Sequence, residues 1–282
     1  MKSGRYPYSH SLYIKDGGGV LVDAGADPDE IDGLYKNEGI ATVVMTHYHE
    51  DHFTCLSRLP DAQVWASEAD APPFGSLDTL LEYEAAAKTE WEARYRKLIT
   101  EKFHFTPRKV ARYIADGEEL LFGETRAIAV TTPGHSPGHL CLHFPDDGIL
   151  FLADYDLTAF GPWYGDAICG IEEFRRSVRK LMEIDARICV VSHEGPVHAG
   201  PIREKALEYL ALIDRREQGL REFLRKPRTR EEIISRRLIC GPENDWWWLD
   251  YAEWSLMSKH LEDMMLRGEA SFEDGKYRLN AN

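Results

Sequence analysis

Short apolar runs separated by polar turns fill most of the first 200 residues, and this pattern predicts strands rather than long helices. The runs are rich in β-branched residues, and several end in glycine, aspartate or histidine. Three glycines at 17–19 predict a turn that joins the first two strands. The predicted segments are a hairpin over 10–23 and strands over 40–45, 63–66, 128–132, 149–153 and 188–192.

Helical spacing of apolar residues interrupts this strand pattern twice. Between Ser76 and Lys102, leucine and aromatic residues recur at helical spacing directly after a proline-rich break. We predict a helical insertion there, which either packs outside the sheet or forms a lid over a substrate pocket. A second helix is predicted over 172–183, with its apolar residues on one face.

Beyond residue 200 the pattern becomes mostly helical. Thr229 and Glu232 have the spacing of a capping box. The predicted elements are helices over 202–225, from 229 onward and over 251–267, followed by a hairpin with an Asp-Gly turn over 270–279. Helices followed by a small hairpin resemble a winged-helix region. We therefore predict two domains, a larger one over 1–200 and a winged-helix-like one over 201–282.

Composition and charge narrow the classes of partner. A hydrophobic content of 43% in 282 residues is enough for a sizeable core. The net charge of −14 should repel polyanions, which makes nucleic acid a minor alternative as partner. The exception is the segment 215–237, where nine Arg or Lys face four Glu. We read this segment as a solvated helix face with internal ion pairs.

The sequence also carries expectations about location. The first residues lack the apolar core of a signal peptide, and no apolar run approaches the length of a membrane span. Five cysteines without a pairing pattern argue against a disulfide framework. We therefore expect a cytoplasmic protein without a membrane partner. A tryptophan cluster at 246–248 is interpreted as buried packing or a homodimer contact, with base stacking as the weaker alternative.

Side chains that bind metals follow four of the predicted strands. Three histidines and an aspartate lie within residues 47–52, directly after the strand over 40–45. His135, Asp154 and His193 each follow a later strand. Neutral imidazole and carboxylate are ligands of Zn²⁺ and its first-row neighbours. Because ligand-type residues follow four strands in the same way, we predict that these loops meet at one edge of the sheets and form a metal site.

The order of these residues resembles the metallo-β-lactamase superfamily. That family carries H-x-H-x-D-H, then a single histidine, a bridging aspartate and a last histidine, and every position is filled here. Asp23, at the end of an earlier strand, matches the aspartate that braces the first motif in that family. The resemblance covers most of residues 10–200. It implies an α+β fold, a four-layer αβ/βα sandwich of two sheets with helices outside.

The resemblance also implies a ligand set for each of two divalent ions, with zinc favoured and iron or manganese as alternatives. The implied assignment is His47, His49 and His135 for one ion, Asp51, His52 and His193 for the other, and Asp154 as the bridge. Two such ions polarise a carbonyl or phosphoryl group and lower the pKa of a shared water. Asp51 and Asp154 are thus the predicted catalytic residues. His139, one turn after His135, is expected to support the site from outside.

Substrate contacts are predicted in the loop that follows the bridging aspartate. Trp163 could form an apolar wall, and Tyr164 could donate a hydrogen bond to an oxyanion. Packing within the loop is the alternative interpretation for both side chains.

The complete motif resembles the branch that contains glyoxalase II, lactonases and lactamase-like ribonucleases. We predict a binuclear hydrolase that cleaves a small ester, thioester or lactone through a metal-bridging hydroxide. An endoribonuclease is the first alternative, favoured by the C-terminal region and opposed by the net charge. A non-catalytic binding protein is the second, opposed by the complete set of ligands.

Overall fold

The computed structural model describes residues 4–241 and 246–280, which contain two large sheets that pack face to face. The first sheet has five strands in sequence order. Its first pair is antiparallel around the predicted glycine turn, and its remaining pairs are parallel. The strands are β1 (Leu12–Ile14), β2 (Val20–Val22), β3 (Thr42–Val44), β4 (Gln63–Ser67) and β5 (Val110–Ile114).

The second sheet has six strands in the order β11-β10-β9-β8-β7-β6. Only the pair β9 and β10 is parallel, and the other neighbours are antiparallel. The strands are β6 (Glu119–Phe122), β7 (Thr125–Thr131), β8 (Leu140–Phe144), β9 (Ile149–Ala153), β10 (Ile188–Val191) and β11 (Val197–Ala199).

Apolar residues of both sheets form one core between them. Val22 and Val44 of the first sheet belong to the same buried cluster as Leu142 and Phe151 of the second. Each sheet buries its other face under helices. The helices on the first sheet are α1 (Pro28–Asn37), α2 (Glu50–Phe53), α3 (Ala71–Gly75), α4 (Leu77–Tyr83) and α5 (Glu92–Glu101), and those on the second are α6 (Ile171–Leu181) and α7 (Arg203–Phe223). The predicted four-layer αβ/βα sandwich is confirmed.

The predicted helical segment from Ser76 to Lys102 is two helices rather than one. Helix α4 ends at Tyr83, and α5 begins only at Glu92. Between them Ala85 and Lys88 have φ values of 55° and 61°, a left-handed conformation that interrupts an α-helix. The apolar spacing correctly indicated helix, but it carried no sign of this break because neither residue is a glycine or an asparagine.

The C-terminal region contains α8 (Arg230–Arg236), α9 (Trp247–Leu266) and the hairpin β12 (Ala270–Glu273) and β13 (Lys276–Leu279). The capping box that opens α8 and the hairpin are confirmed. Helix α9 begins four residues earlier than predicted. It contributes Tyr251 to the core of the first sheet and Leu256 to that of the second. The division at residue 200 into two domains stays a prediction.

Candidate metal centre

The structure brings the seven predicted ligands together where strands of both sheets end. Three imidazoles form the first group. The His47 Nε2 atom lies 3.0 Å from His49 Nδ1 and 3.2 Å from His135 Nε2, and the last two atoms are 2.9 Å apart. All three side chains are buried. Three ring nitrogens that converge in this way leave room for one shared cation.

The second group lies beside the first. His193 Nε2 lies 3.3 Å from an oxygen of Asp51 and 3.3 Å from one of Asp154. His52 Nε2 is 2.9 Å from Asp154 Oδ1. The other oxygen of Asp154 is 3.5 Å from His135 Nε2, so this carboxylate faces both groups.

Outer hydrogen bonds determine which ring nitrogen of each histidine points inward. His47 Nδ1 contacts Thr46 Oγ1 at 2.9 Å, and His52 Nδ1 contacts Asp23 Oδ2 at 2.8 Å. His193 Nδ1 contacts a backbone carbonyl oxygen at 2.9 Å, so it must be the donor. A ring nitrogen that donates outward leaves the opposite nitrogen as the one that can bind a metal. The surroundings therefore prepare these rings as ligands.

Asp23 and His139 support this arrangement, as the sequence predicted. Asp23 accepts hydrogen bonds from the backbone and the hydroxyl of Thr46, in addition to the one from His52. His139 Nδ1 contacts Thr132 Oγ1 at 2.8 Å, and its Nε2 accepts a hydrogen bond from the backbone nitrogen of Asp154 at 3.3 Å. One ring therefore connects the strand end before His135 with the carboxylate that faces both groups.

The electrostatics of the two groups fit a divalent cation. Burial lowers the pKa of His135 to about 3, which keeps that ring neutral. Burial also lowers the pKa of His193, but Asp154 outweighs this effect and raises the pKa to about 10. Within the described chain, His52 Nε2 and Asp154 Oδ1 have no hydrogen-bond partner despite their short separation. A metal ion would replace the protons held here and satisfy these atoms.

Asp166 contacts one of the proposed ligands, and sequence reasoning missed it. Its side chain is fully buried and lies 2.9 Å from His49 Nε2. It also accepts hydrogen bonds from Tyr48 Oη and from Trp163 Nε1. Burial lowers the pKa of His49, but Asp166 outweighs burial and raises it to about 10. No sequence motif includes Asp166. It lies 117 residues after His49, and only the folded structure brings the two side chains together.

The cavity beside the metal groups has a volume of about 450 Å³. Trp163 lines it. Tyr164 does not line it, so the prediction that this hydroxyl reaches an oxyanion is wrong. Its ring is fully buried, and the hydroxyl pairs with His260 at 2.8 Å and accepts a hydrogen bond from Arg216 at 3.1 Å. Adjacent residues in an extended loop point to opposite sides, and Tyr164 points into the core.

Family comparison agrees with this architecture. The profile of the Metallo-beta-lactamase superfamily matches residues 5–193, which is more than half of the chain. The chain belongs to the metallo-beta-lactamase superfamily. The resemblance inferred from the histidine motif is thereby confirmed.

Related proteins of known name are hydrolases. A hydroxyacylglutathione hydrolase of Bartonella tribocorum is 25% identical over 198 residues, which cover 64% of each chain. One of Rhizobium johnstonii is 37% identical over 89 residues, which cover 32% of this chain and 31% of that protein. An acyl-coenzyme A thioesterase of Gallus gallus is 27% identical over 149 residues, half of each chain. This chain thus spans less than two thirds of the length of each of these relatives.

Solved structures resemble this chain over nearly its whole length. A metallo-beta-lactamase family protein from Thermus thermophilus superposes with a TM-score of 0.74 at 21% identity, covering 96% of this chain and 94% of that one. A beta-lactamase domain protein from Burkholderia ambifaria gives a TM-score of 0.73 at 21% identity, covering 96% and 88%. These likenesses show the fold, including the C-terminal helices.

Proposed function

We propose that this protein is a metal-dependent hydrolase of thioesters that holds two divalent ions, most simply zinc. The main support is the convergence of five imidazoles and two carboxylates, with four of the rings oriented by outer partners. Relatives named as a hydroxyacylglutathione hydrolase and an acyl-coenzyme A thioesterase support a thioester as the bond that is cleaved. Small esters and lactones are the related substrates. A cytoplasmic location and a homodimer remain expectations from the sequence.

The chain would use its residues in distinct ways. His47, His49 and His135 would hold the first ion, Asp51, His52 and His193 the second, and Asp154 would contact both. When bound, such ions polarise a carbonyl oxygen and lower the pKa of a water molecule.

Other side chains of the cavity would bind and orient the substrate. The ring of Trp163 gives an apolar surface on which the acyl group can rest, and its Nε1 is held by Asp166. Asp51 lies in the cavity wall, with a carboxylate oxygen 3.3 Å from His193 Nε2. A thiolate leaves with little protonation, whereas an amine needs a placed acid. Thioesters therefore suit this site without acid assistance to the leaving group, whereas β-lactams require it.

Metal content and substrate choice together test the proposal. Elemental analysis of gently purified protein should approach two divalent ions per chain. On the same preparation, kcat/KM for an activated thioester should exceed that for a cephalosporin of similar size by at least about tenfold, because a thiolate leaves without the protonation that an amine requires. A single ion after repeated reloading would contradict the bridged site, and a preference for the cephalosporin would contradict the thioester assignment.

A further inference from the structure

A buried acidic corner lies in the cavity wall next to His49, and the proposed metal site does not use it. Glu84 is 1% exposed and belongs to the lining of the cavity. Its Oε2 accepts a hydrogen bond from Tyr95 at 2.9 Å, whereas its Oε1 has no hydrogen-bond partner in the described part of the chain. Glu50 also lines the cavity, and its Oε1 accepts a hydrogen bond from Tyr6 at 2.8 Å. An unpaired buried carboxyl oxygen is costly unless a proton or a cation compensates it.

Aromatic rings form the adjoining wall of the same cavity. Trp163 and Trp248 are stacked with their centroids 5.8 Å apart and their planes at 18°. Tyr6 lies 5.7 Å from Trp248. The aromatic wall and the acidic corner are joined by two tyrosines. The hydroxyl of Tyr6 donates a hydrogen bond to Glu50. Tyr251 packs on Trp163 and donates a hydrogen bond to the backbone oxygen of Glu84. A group bound against these rings would therefore lie beside the carboxyl groups.

The charges around the cavity favour one sign of ligand. Beyond the proposed metal ligands, the lining residues that carry acidic side chains are Glu50, Glu84, Asp156 and Glu194. Arg5 is the single lysine or arginine among the described lining residues. Lys102 approaches the cluster without lining the cavity, with its ammonium 5.3 Å from the centroid of Tyr6. Burial raises the pKa of Glu84, so a cation beside it would be bound in place of a proton, and the faces of the aromatic rings attract cations as well.

We propose that the aromatic and acidic corner formed by Tyr6, Glu50, Glu84, Trp163 and Trp248 binds a cationic group of the substrate, such as a quaternary ammonium. This inference rests on the proposed function and names its substrate class, a thioester that carries a positive charge within reach of the metal centre. In the reaction the carbon–sulfur bond breaks, a carbon–oxygen bond to water forms, and the products are a carboxylic acid and a thiol. The cationic group takes no part in the chemistry and only positions the carbonyl.

Substrates of equal shape and different charge test this inference. Acetylthiocholine carries a quaternary ammonium, and 3,3-dimethylbutyl thioacetate is its neutral isostere with a carbon in place of the nitrogen. On the zinc-loaded protein, we expect kcat/KM for the cation to exceed that for the isostere about tenfold or more, in line with a desolvated cation over aromatic rings. S-acetyl-3-mercaptopropanesulfonate, an anion, should be the slowest of the three.

The outcomes separate this inference from the function on which it rests. Hydrolysis of the neutral isostere at an equal or higher rate than acetylthiocholine would overturn the cationic subsite and leave the thioesterase intact. No hydrolysis of any of the three would contradict the proposed function itself. Binding gives a readout that does not need turnover. Choline should bind to the protein in calorimetry at least about tenfold more tightly than 3,3-dimethylbutanol, and equal affinities would count against the subsite.

Single substitutions assign the selectivity to named residues. Glu84→Gln keeps the shape of the side chain and removes its charge, so the ratio of kcat/KM between acetylthiocholine and its isostere should fall several-fold. Glu82→Gln is the matched control, because it removes an exposed carboxylate only two residues away, at the end of α4, and should preserve the ratio. Trp248→Leu keeps an apolar surface without an aromatic face and should lower the ratio as well. An unchanged ratio in both cavity variants would overturn the inference.

Discussion

At the scale of single residues, the outer partner of an imidazole matters as much as the imidazole itself. Asp166 holds the Nε2 atom of His49 and thereby turns its Nδ1 toward His47 and His135. Asp166 also accepts a hydrogen bond from Nε1 of Trp163 and so fixes that ring in the wall of the cavity. A carboxylate that binds the outer nitrogen of a metal-binding histidine fixes the ring and increases its basicity.

Asp166→Asn should therefore weaken metal binding without removing a ligand. An amide cannot accept hydrogen bonds from Tyr48 and His49 on the same oxygen as well as the carboxylate does. We expect the affinity for zinc to fall roughly 10- to 100-fold, as is typical for the loss of such a partner, in competition with a chromophoric chelator. Asp116→Asn, at an exposed ion pair with Lys180, is the control. Wild-type affinity in the Asp166 variant would show that His49 needs no partner.

Asp154→Ala tests the bridge directly. The substitution removes a ligand at a sheet edge and little core packing, so the fold should persist in circular dichroism. Metal content should fall by about one ion per chain, and hydrolysis should be almost lost, because one carboxylate serves both ions. Full metal content together with full activity would refute the assignment of Asp154.

At the scale of elements, the loop after β9 owes its shape to a buried arginine of α7. Arg216 is 6% exposed and donates hydrogen bonds to the backbone oxygens of Phe160 and Pro162 and to the hydroxyl of Tyr164. These bonds hold the stretch that carries Trp163. The C-terminal region thus contributes to the cavity through α7 as well as through Trp248.

Arg216→Met should loosen this loop. It leaves two buried carbonyl oxygens without their donor, at about 1–3 kcal/mol for each unsatisfied group. We expect the free energy of unfolding in urea to fall by a few kcal/mol and KM to rise more than kcat falls. Arg215→Met, at the exposed neighbouring position, should change neither. A stable Arg216→Met protein with normal KM would show that the loop keeps its conformation without this arginine.

Gly134 illustrates a second fit between elements, in the turn that carries His135. Its φ is 125°, and an added Cβ would lie 2.4 Å from the backbone of Phe174 in α6. Gly134→Ala should therefore lower the free energy of unfolding of the metal-free protein by at least about 1–3 kcal/mol, since the strained backbone and the clash add. Gly33→Ala, where nothing lies within 4 Å in the middle of α1, should instead stabilise by about 0.5–1 kcal/mol. Urea unfolding distinguishes the two signs.

At the scale of the whole molecule, the positive segment 215–237 is largely engaged within the protein. Arg228 pairs with Glu232, and Arg230 pairs with Glu90. Arg230 also lies over the rings of Trp91 and Trp254 at 4.7 and 4.8 Å. These contacts agree with the interpretation of a charged face with internal pairs. They give the endoribonuclease alternative no added support.

A double charge reversal at Arg225 and Lys226 tests whether this face serves catalysis. Both residues are exposed, so we expect kcat/KM for a small thioester to stay within about twofold, because charges beyond a Debye length are screened. RNA binding, if present in the wild type, should weaken and become less dependent on salt in the variant. RNA cleavage that depends on both this pair and His135 would favour the ribonuclease.

The described helices include none that is long and apolar enough to span a membrane. Both large sheets, α7 and α9 surround the cavity at the strand ends. Side chains that are more than 100 residues apart in sequence meet there, as His49 and Asp166 do.

The sequence by itself determined β1 to β4, β7, β9 and β10, the capping box of α8, the last hairpin and the order of the seven proposed ligands. It could do so because periodicity, turn residues and ligand motifs are local properties of the chain. Only the tertiary structure decided that Asp166 reaches His49, that Tyr164 points away from the cavity, and that Glu84 lies in its wall with an unpaired oxygen. These facts depend on how distant elements pack and on which way a loop residue faces, and neither is encoded in the spacing of neighbouring residues.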